Sequence, residues 1–414
     1  MNAFEDLARR AKAASRTMAT LPTDAKNACL MDLASRLQKA APAVLEANEK
    51  DLAAARKAEL GESKLRRLEL SRQLIEQMAE GLWQVAALPD PVGQITREYT
   101  VPSGLKVQKV RVPLGVIMMI YEARPNVTID AFALCFKSGN SCILKGGREA
   151  THSNRALVTL AWEALKAQDA SSDGLALLTT SDRDELKALL GFNQYIDLVI
   201  PRGGAELIHF VHEHSRIPVV QHFHGVCHIF VDESADLGQA LEICATAKTS
   251  SPAACNAVET LLVHESVAGQ FVPRLVERLT AEGVEVRGDL AVRKLAPTAK
   301  KAAPDDFGRE FLDLIVAVKI VPDVQAAISH IQKHGSNHTD SILSANPENQ
   351  KRFVDQVESS CVLVNASTRF NDGFQLGLGA EIGISTSKVH AYGPMGLEEL
   401  TTQRYVVQGA GQFR

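Results

Sequence analysis

Val116-Ile117-Met118-Met119-Ile120, followed after a helix-length interval by Ser141-Cys142-Ile143-Leu144, decides the fold of this 414-residue chain. Each is a short continuous apolar run, the pattern of a strand buried on both faces. Similar runs occupy 175–178, 196–200 and 219–220, and helical stretches such as 150–167 and 205–214 separate them. This alternation, from about 113 to 231, implies an α/β fold with a parallel sheet and helices on both faces. Such sheets bind ligands at the carboxyl ends of their strands. Two of these strands run into paired glycines beside a cation: Leu144-Lys145-Gly146-Gly147 and Ile200-Pro201-Arg202-Gly203-Gly204. Glycine lets a backbone approach a phosphate, and the cation adds charge. Neither segment has the GxGxxG spacing, so a pair of tight strand-to-helix turns stands as the alternative reading.

Outward from this core, residues 1–88 carry Ala and Leu at helical spacing, broken at Pro22, Pro42 and Gly61 and ended by Pro89-Asp90-Pro91. Residues 95–112 alternate, with Gly104 at a turn, which predicts a hairpin. A second α/β region runs from about 232 to 356, with strands near 259–263 and 311–321. The tail, 385–414, is rich in Gly and Thr and carries the strand-like Arg404-Tyr405-Val406-Val407.

A hydrophobic content of 45% over this length suits two or more domains. The net charge of -4 gives no sign of nucleic-acid binding. No apolar stretch approaches the ~18 residues of a membrane span. Residues 1–10, with Glu5 and Asp6, start an amphipathic helix and do not form a secretory signal. The seven cysteines are scattered and form no CxxC pair, which points to a reducing, cytoplasmic compartment. His209, His212, His214, His222, His224 and His228 cluster in sequence, but without HExxH spacing; they read as surface and packing histidines, and no metal is expected.

Chemistry enters with Thr249-Ser250-Ser251-Pro252-Ala253-Ala254-Cys255-Asn256-Ala257-Val258-Glu259-Thr260. Ser251 suits a helix cap and Pro252 the first helical position, which would set Cys255 at the positive end of a helix. That position lowers a thiol's pKa and makes Cys255 a candidate nucleophile. The alternative for a lone cysteine is a small buried apolar residue.

Longer motifs carry a resemblance. Arg111-Val112-Pro113-Leu114-Gly115-Val116-Ile117, Ile120-Tyr121-Glu122-Ala123-Arg124-Pro125-Asn126-Val127-Thr128, Cys255-Asn256-Ala257-Val258-Glu259-Thr260, Val364-Asn365-Ala366-Ser367-Thr368-Arg369-Phe370, Leu378-Gly379-Ala380-Glu381-Ile382-Gly383-Ile384-Ser385-Thr386 and Gly393-Pro394-Met395-Gly396-Leu397-Glu398-Glu399-Leu400-Thr401-Thr402 occur in this order. Over nearly its whole length the chain resembles the γ-glutamyl phosphate reductase (glutamate-5-semialdehyde dehydrogenase) family of the aldehyde dehydrogenase superfamily. The resemblance implies a Rossmann-type cofactor domain formed by 1–94 and 113–231, with 357–384 returning to it. It implies an α/β catalytic domain over 232–356 and a β-arm for oligomerisation built from 95–112 and 385–414. The implied reaction is NADPH-dependent reduction of L-glutamyl 5-phosphate to L-glutamate 5-semialdehyde, the second step of proline biosynthesis. A homo-oligomer, and channelling from glutamate 5-kinase, are implied with it.

The chemistry of the residues agrees. A thiolate at Cys255 can displace phosphate from an acyl phosphate and form a thioester. Each tetrahedral species carries an oxyanion that needs a pair of donors. The Cys255 backbone N–H is one candidate. The amide of Asn126, matching the superfamily's oxyanion asparagine, is the other; a loop residue satisfying its own turn is the alternative. Hydrolytic relatives keep a base in a Glu-Leu-Gly-Gly segment before a strand. The matching stretch here, from His222 to Asp232, has no glutamate there. Where NAD-preferring relatives place a glutamate after the strand-end lysine, this chain has Arg148, so Lys145 and Arg148 together suggest NADPH. A solvated basic helix start is the alternative. Gly146, Gly147, Pro201, Arg202, Gly203 and Gly204 are expected to line the cofactor, and Glu310 falls at the spacing of the superfamily's nicotinamide-ribose glutamate. For the substrate, Arg124 and Arg369 are the cation candidates and Glu122 or Glu381 would meet the α-amino group; structural ion pairs are the alternative. One departure is Ser251, where the family often has an arginine that would help bind phosphate. A hydrolytic aldehyde dehydrogenase and a non-catalytic scaffold are the competing functions.

Overall fold

The computed structural model describes residues 3–180, 182–220 and 224–413. It divides into two compact units, Met1–Gln221 with Gly377–Gly383 and Met395–Arg414, and His222–Leu376 with Ile384–Pro394.

The first unit opens with the helices Ala3–Met18, Thr23–Lys39, Ala41–Lys57, Glu62–Leu68 and Arg72–Ala87. In Arg72–Ala87 the buried residues are Ile75, Met78, Ala79, Leu82, Val85 and Ala86, one stripe at helical period. The hydroxyl of Ser71 accepts from the Leu74 N–H and caps its start. In Thr23–Lys39 the stripe is Cys29, Leu30, Leu33, Ala34 and Leu37. Each buried leucine of this kind contributes about 1.5–3 kcal/mol. Lys26, fully buried on the same helix, pairs with Asp90 at 2.8 Å. The helix break expected at Pro42 falls at Ala40, between Thr23–Lys39 and Ala41–Lys57. Pro42 itself sits in the first turn of Ala41–Lys57, where its missing N–H costs nothing.

These helices lead to a four-stranded parallel sheet. Its spatial order is Leu175–Leu178, Ser141–Lys145, Val116–Tyr121, Leu198–Arg202. All six residues of Val116–Tyr121 are buried, as its double-sided position requires. The first strand in the chain therefore lies between the second and the fourth, so the order reverses beside it. Such a switch point opens a crevice at the carboxyl ends of the strands. Register places Lys145 beside Ile120, and Arg202 beside Tyr121, at that end. The expected strand at 219–220 is reduced to one bridge between Val199 and Val219. Pro218 lacks the N–H that a longer ladder would need.

Ile95–Thr100 and Lys106–Pro113 form the expected hairpin, and Thr401–Gln408 adds antiparallel to Lys106–Pro113. Gly104 turns the chain at φ +82°, a conformation that favours glycine.

The second unit holds an all-parallel seven-stranded sheet. Its order is Lys300–Lys301, Glu285–Gly288, Ile315–Val321, Val258–His264, Cys227–Val231, Thr339–Leu343, Cys361–Val364. Leu237–Thr249, Glu265–Ala281, Val324–His334 and Pro347–Gln356 are its longer helices. At its centre His228 and Asp340, both inaccessible to solvent, pair at 2.9 Å.

The structure moves the expected domain boundaries. The strand Cys227–Val231 hydrogen-bonds to Val258–His264 and Thr339–Leu343, so the break falls near 221, not 231. Cys361–Val364 joins the same sheet, and of the segment 357–384 the first unit takes Gly377–Gly383 alone. The tail is likewise split, since Ile384–Pro394 groups with the second unit. Apolar runs announce strands, but not which sheet they enter. Among the described residues no helix is long and apolar enough to cross a membrane.

Candidate active site

In the second unit, three loops precede the adjacent strands Ile315–Val321, Val258–His264 and Cys227–Val231. They carry Glu310, Cys255 and Gly225, so these groups meet at the amino ends of the strands. The expected helix around Cys255 is absent. The helix Leu237–Thr249 ends before it, and two turns follow, closed by Ala254 N–H to Ser251 C=O at 3.1 Å and Ala257 N–H to Ala254 C=O at 3.0 Å. Two short turns fit between a helix end and the strand at Val258. The helix-dipole argument for a lowered thiol pKa therefore falls away.

What the turns do is present the thiol. All seven cysteines are free of disulfides, and Cys255 and Cys361 are the half-buried ones. Burial pushes Cys29 up to about 12 and Cys361 up to about 11. Cys227 and Cys244 are raised for the same reason. The Cys227 thiol donates to the Cys255 carbonyl at 3.2 Å. A Cβ on Gly225 would fall onto that same carbonyl, so only glycine fits the approach. The Gly225 N–H donates to Glu310 Oε1 at 2.9 Å. Burial raises the Glu310 carboxyl above its ordinary range, while the Gly225 N–H and His224 oppose the shift. His222, and the start of the stretch compared with the hydrolytic base segment, lie outside the described residues.

Asn256, the residue after the thiol, is buried and donates to the Asn371 carbonyl at 2.9 Å and toward the Arg369 carbonyl at 3.5 Å. Arg369 is thereby tied to the nucleophile turn. Its Nε is buried and has no hydrogen-bond partner among the described residues.

In the first unit a cleft of 630 Å³ lies at the switch point of the sheet. Lys145, Gly147, Arg148 and Gly204, four of the cofactor candidates, line it. So does Glu122, whose carboxylate accepts from the Gly204 N–H at 3.2 Å. It therefore lies beside the cofactor candidates. The remaining cofactor candidates are placed differently. Gly146, Pro201, Arg202 and Gly203 belong to the strand ends without lining the cleft, and Glu310 is in the second unit. The Arg202 guanidinium would touch a Cβ placed on Gly383, near the substrate candidate Glu381.

The cleft also holds residues the sequence did not single out, namely Lys64, Arg67, Glu149, Asp182, Arg183 and Glu206. Its acids are engaged. Glu149 accepts from the Ala123 N–H at 2.7 Å, Asp182 caps the helix Arg183–Leu189, and Glu206 pairs with Arg183 at 2.5 Å. Lys64, Arg67, Lys145 and Arg148 form no ion pair among the described residues. Burial lowers the pKa of Lys145, and Glu149 and Glu122 oppose it. A Cβ on Gly147 would press into the Glu149 carboxylate, so glycine is what lets the chain lie this close to that acid. Cations without an ion-pair partner among the described residues, at the carboxyl end of the strand, suit a ligand bearing phosphate groups.

Asn126 stands at the start of the helix Val127–Lys137, in the same unit, with αR backbone and no capping bond from its side chain. Its amide donates to Asp130 Oδ2 at 3.2 Å. Burial pushes Asp130 up to about 6, with Asn126 and Arg202 opposing. Ala123, in the turn before it, holds φ +42°, a strained conformation for a residue with a Cβ. Arg124 in the same turn is exposed.

Residues 2–305 match the model of the aldehyde dehydrogenase family. The chain is 52% identical over 411 residues to γ-glutamyl phosphate reductase of Desulforapulum autotrophicum, covering 99% of this chain and 98% of that one. It is 51% identical over 414 residues to the enzyme of that name from Xylella fastidiosa, covering 100% of both. Among solved structures, γ-glutamyl phosphate reductase of Thermotoga maritima superposes with a TM-score of 0.97 at 43% identity, covering 100% of both chains. At 15% identity the fold extends to a glyceraldehyde-3-phosphate dehydrogenase of Methanocaldococcus jannaschii crystallised with NADP, with a TM-score of 0.68 and coverage of 98% and 94%.

Proposed function

The chain belongs to the γ-glutamyl phosphate reductases of the aldehyde dehydrogenase family, and from that membership we propose that it reduces L-glutamyl 5-phosphate to L-glutamate 5-semialdehyde with NADPH and releases phosphate. The observation that carries this reading is identity of 51% across the whole of both chains with a relative of that name. The family uses a nicotinamide cofactor. In this chain Lys145, Arg148 and the backbone of Gly147 and Gly204 would hold its phosphates, and Glu310 its nicotinamide ribose. When bound, the cofactor supplies a hydride.

The protein's own part begins at Cys255. Its thiolate attacks the acyl carbon; a C–S bond forms, the C–O bond to phosphate breaks, and phosphate leaves with the electron pair. The Cys255 N–H and the Asn126 amide meet the oxyanion. Once the acyl group is reduced, the thiohemiacetal on Cys255 collapses, freeing the aldehyde and the thiol. Arg124 and Arg369 balance the substrate's anionic ends, and Glu381 its amino group. With Ser251 in place of an arginine, Arg369 is the candidate cation on the nucleophile's own unit. The three-stranded arm leaves Tyr405 and Val407 exposed and would dock a second copy. The kinase that makes the acyl phosphate is the proposed donor of substrate.

The test runs the reaction backward. Glutamate semialdehyde and NADP should give NADPH only when phosphate or arsenate is present. Oxidation without either would make the protein a hydrolytic dehydrogenase, and no turnover at all would make it a scaffold.

Arg148→Glu is expected to weaken NADPH binding about tenfold or more, while NADH binding changes little, because the reversal acts on the 2′-phosphate alone. Titration of both cofactors by fluorescence checks it. Equal losses would place Arg148 outside the 2′-phosphate pocket.

A further inference from the structure

Lys248 and Glu259 are both inaccessible to solvent, and Nζ lies 2.6 Å from Oε2. Lys248 is in the last turn of the helix Leu237–Thr249, and Glu259 is the second residue of the strand Val258–His264. The segment between the two elements, 250–257, is the pair of turns that carries Cys255. The ion pair therefore closes the base of the nucleophile loop.

Glu259 reaches further. Its Oε1 accepts from the Leu312 N–H at 3.3 Å. Leu312 follows Glu310 by two residues and holds φ +55°, a left-handed turn between Glu310 and the strand Ile315–Val321. Glu310 accepts from Gly225 N–H, and Gly225 abuts the Cys255 carbonyl. One continuous set of contacts thus runs from Lys248 through Glu259 and the Glu310 segment back to the nucleophile loop. The other charged or titratable groups that act on the pair are Cys227, Glu310 and Asp313.

Burial works against both charges. It pushes Glu259 up to about 7 and lowers Lys248, and their attraction only partly offsets this. A buried pair of this kind is a poor source of stability, since apolar residues of similar volume pack as well. What apolar residues lack is direction: they would not fix the helix end, the strand start and the Leu312 turn in one arrangement.

We propose that Lys248 and Glu259 are positioning residues that hold Cys255 in its attacking orientation relative to Glu310, acting through the backbone of the loop without touching substrate. The proposal rests on Cys255 being the nucleophile.

The test compares Lys248→Met/Glu259→Met with Lys248→Met/Glu259→Gln and with wild type, measuring kcat, KM and Tm on the same preparations. The Met/Met variant is expected to regain or exceed the wild-type Tm, yet to lose about ten- to a hundredfold in kcat, the scale of a small misplacement at a reacting centre. KM should stay within about twofold, because no substrate contact is removed. The Gln variant keeps the acceptor for Leu312 N–H and is expected to recover most of kcat. Wild-type kcat in the Met/Met variant would overturn the proposal, and so would equal kcat in the Met and Gln variants. If the Met/Met variant melts below the assay temperature, Glu259→Gln against Glu259→Met in the Lys248 background gives the same comparison. Cys255→Ser in the same series isolates the premise: turnover there would remove the nucleophile itself, whatever the pair does.

Discussion

Cys255→Ser is expected to abolish turnover, to below about 1% of wild type, with NADPH binding unchanged. The serine oxygen is nearly isosteric with the thiol, so the turns closed at Ala254 and Ala257 should persist. A hydroxyl is barely ionised at neutral pH, whereas a thiol with an ordinary pKa of about 8.5 supplies a few per cent thiolate. The other thiols offer no substitute. Cys29, Cys135, Cys142, Cys227 and Cys244 are buried, and the half-buried Cys361 is held up at about 11. Changing Cys135, Cys142 or Cys361 should cost stability alone. Steady-state kcat, with cofactor titration on the same preparation, checks the prediction. A Ser variant retaining more than a few per cent of activity would exclude a thioester.

Asn126→Ala is expected to lower kcat by about 10²–10³, with KM little changed. The donor works harder on the tetrahedral species than on the ground-state carbonyl, so its loss appears in the barrier. An asparagine amide carries two N–H groups, and Asp130 accepts one at 3.2 Å. The second is the donor proposed for the oxyanion. The side chain makes no capping bond to the helix Val127–Lys137, so Tm should move little. Normal kcat with a lowered Tm would make Asn126 a structural partner of Asp130, and another oxyanion donor would then be needed.

Much of the first unit's cleft was legible. The strand runs 116–120, 141–144 and 175–178 correspond to Val116–Tyr121, Ser141–Lys145 and Leu175–Leu178. Lys145 and Arg148 line the cleft because paired glycines at a strand's carboxyl end leave room there. Asp182, Arg183 and Glu206 were not legible, since nothing in their own segments marks them as cleft residues. Around Cys255, Ser251-Pro252 satisfies the local rules for a helix start, but the next strand begins at Val258 and leaves no length for one. The chain closes two turns instead, and the thiol is presented without a helix dipole.

The sequence by itself determined two parallel α/β layers, the family and the basic strand end, and it singled out Cys255 as the candidate nucleophile. These are local properties: an apolar run, a glycine pair and a motif need no partner elsewhere in the chain. Tertiary structure decided what depends on distant partners. It assigned Cys227–Val231 and Cys361–Val364 to the second sheet. It joined Gly225 to Glu310 across 85 residues of chain, and Lys248 to Glu259 across the nucleophile loop. A lysine on a helix and a glutamate on a strand read separately as surface charges. Only folding, which removes both from water at once, makes each the other's sole ion-pair partner among the described residues and ties the ends of the Cys255 loop together.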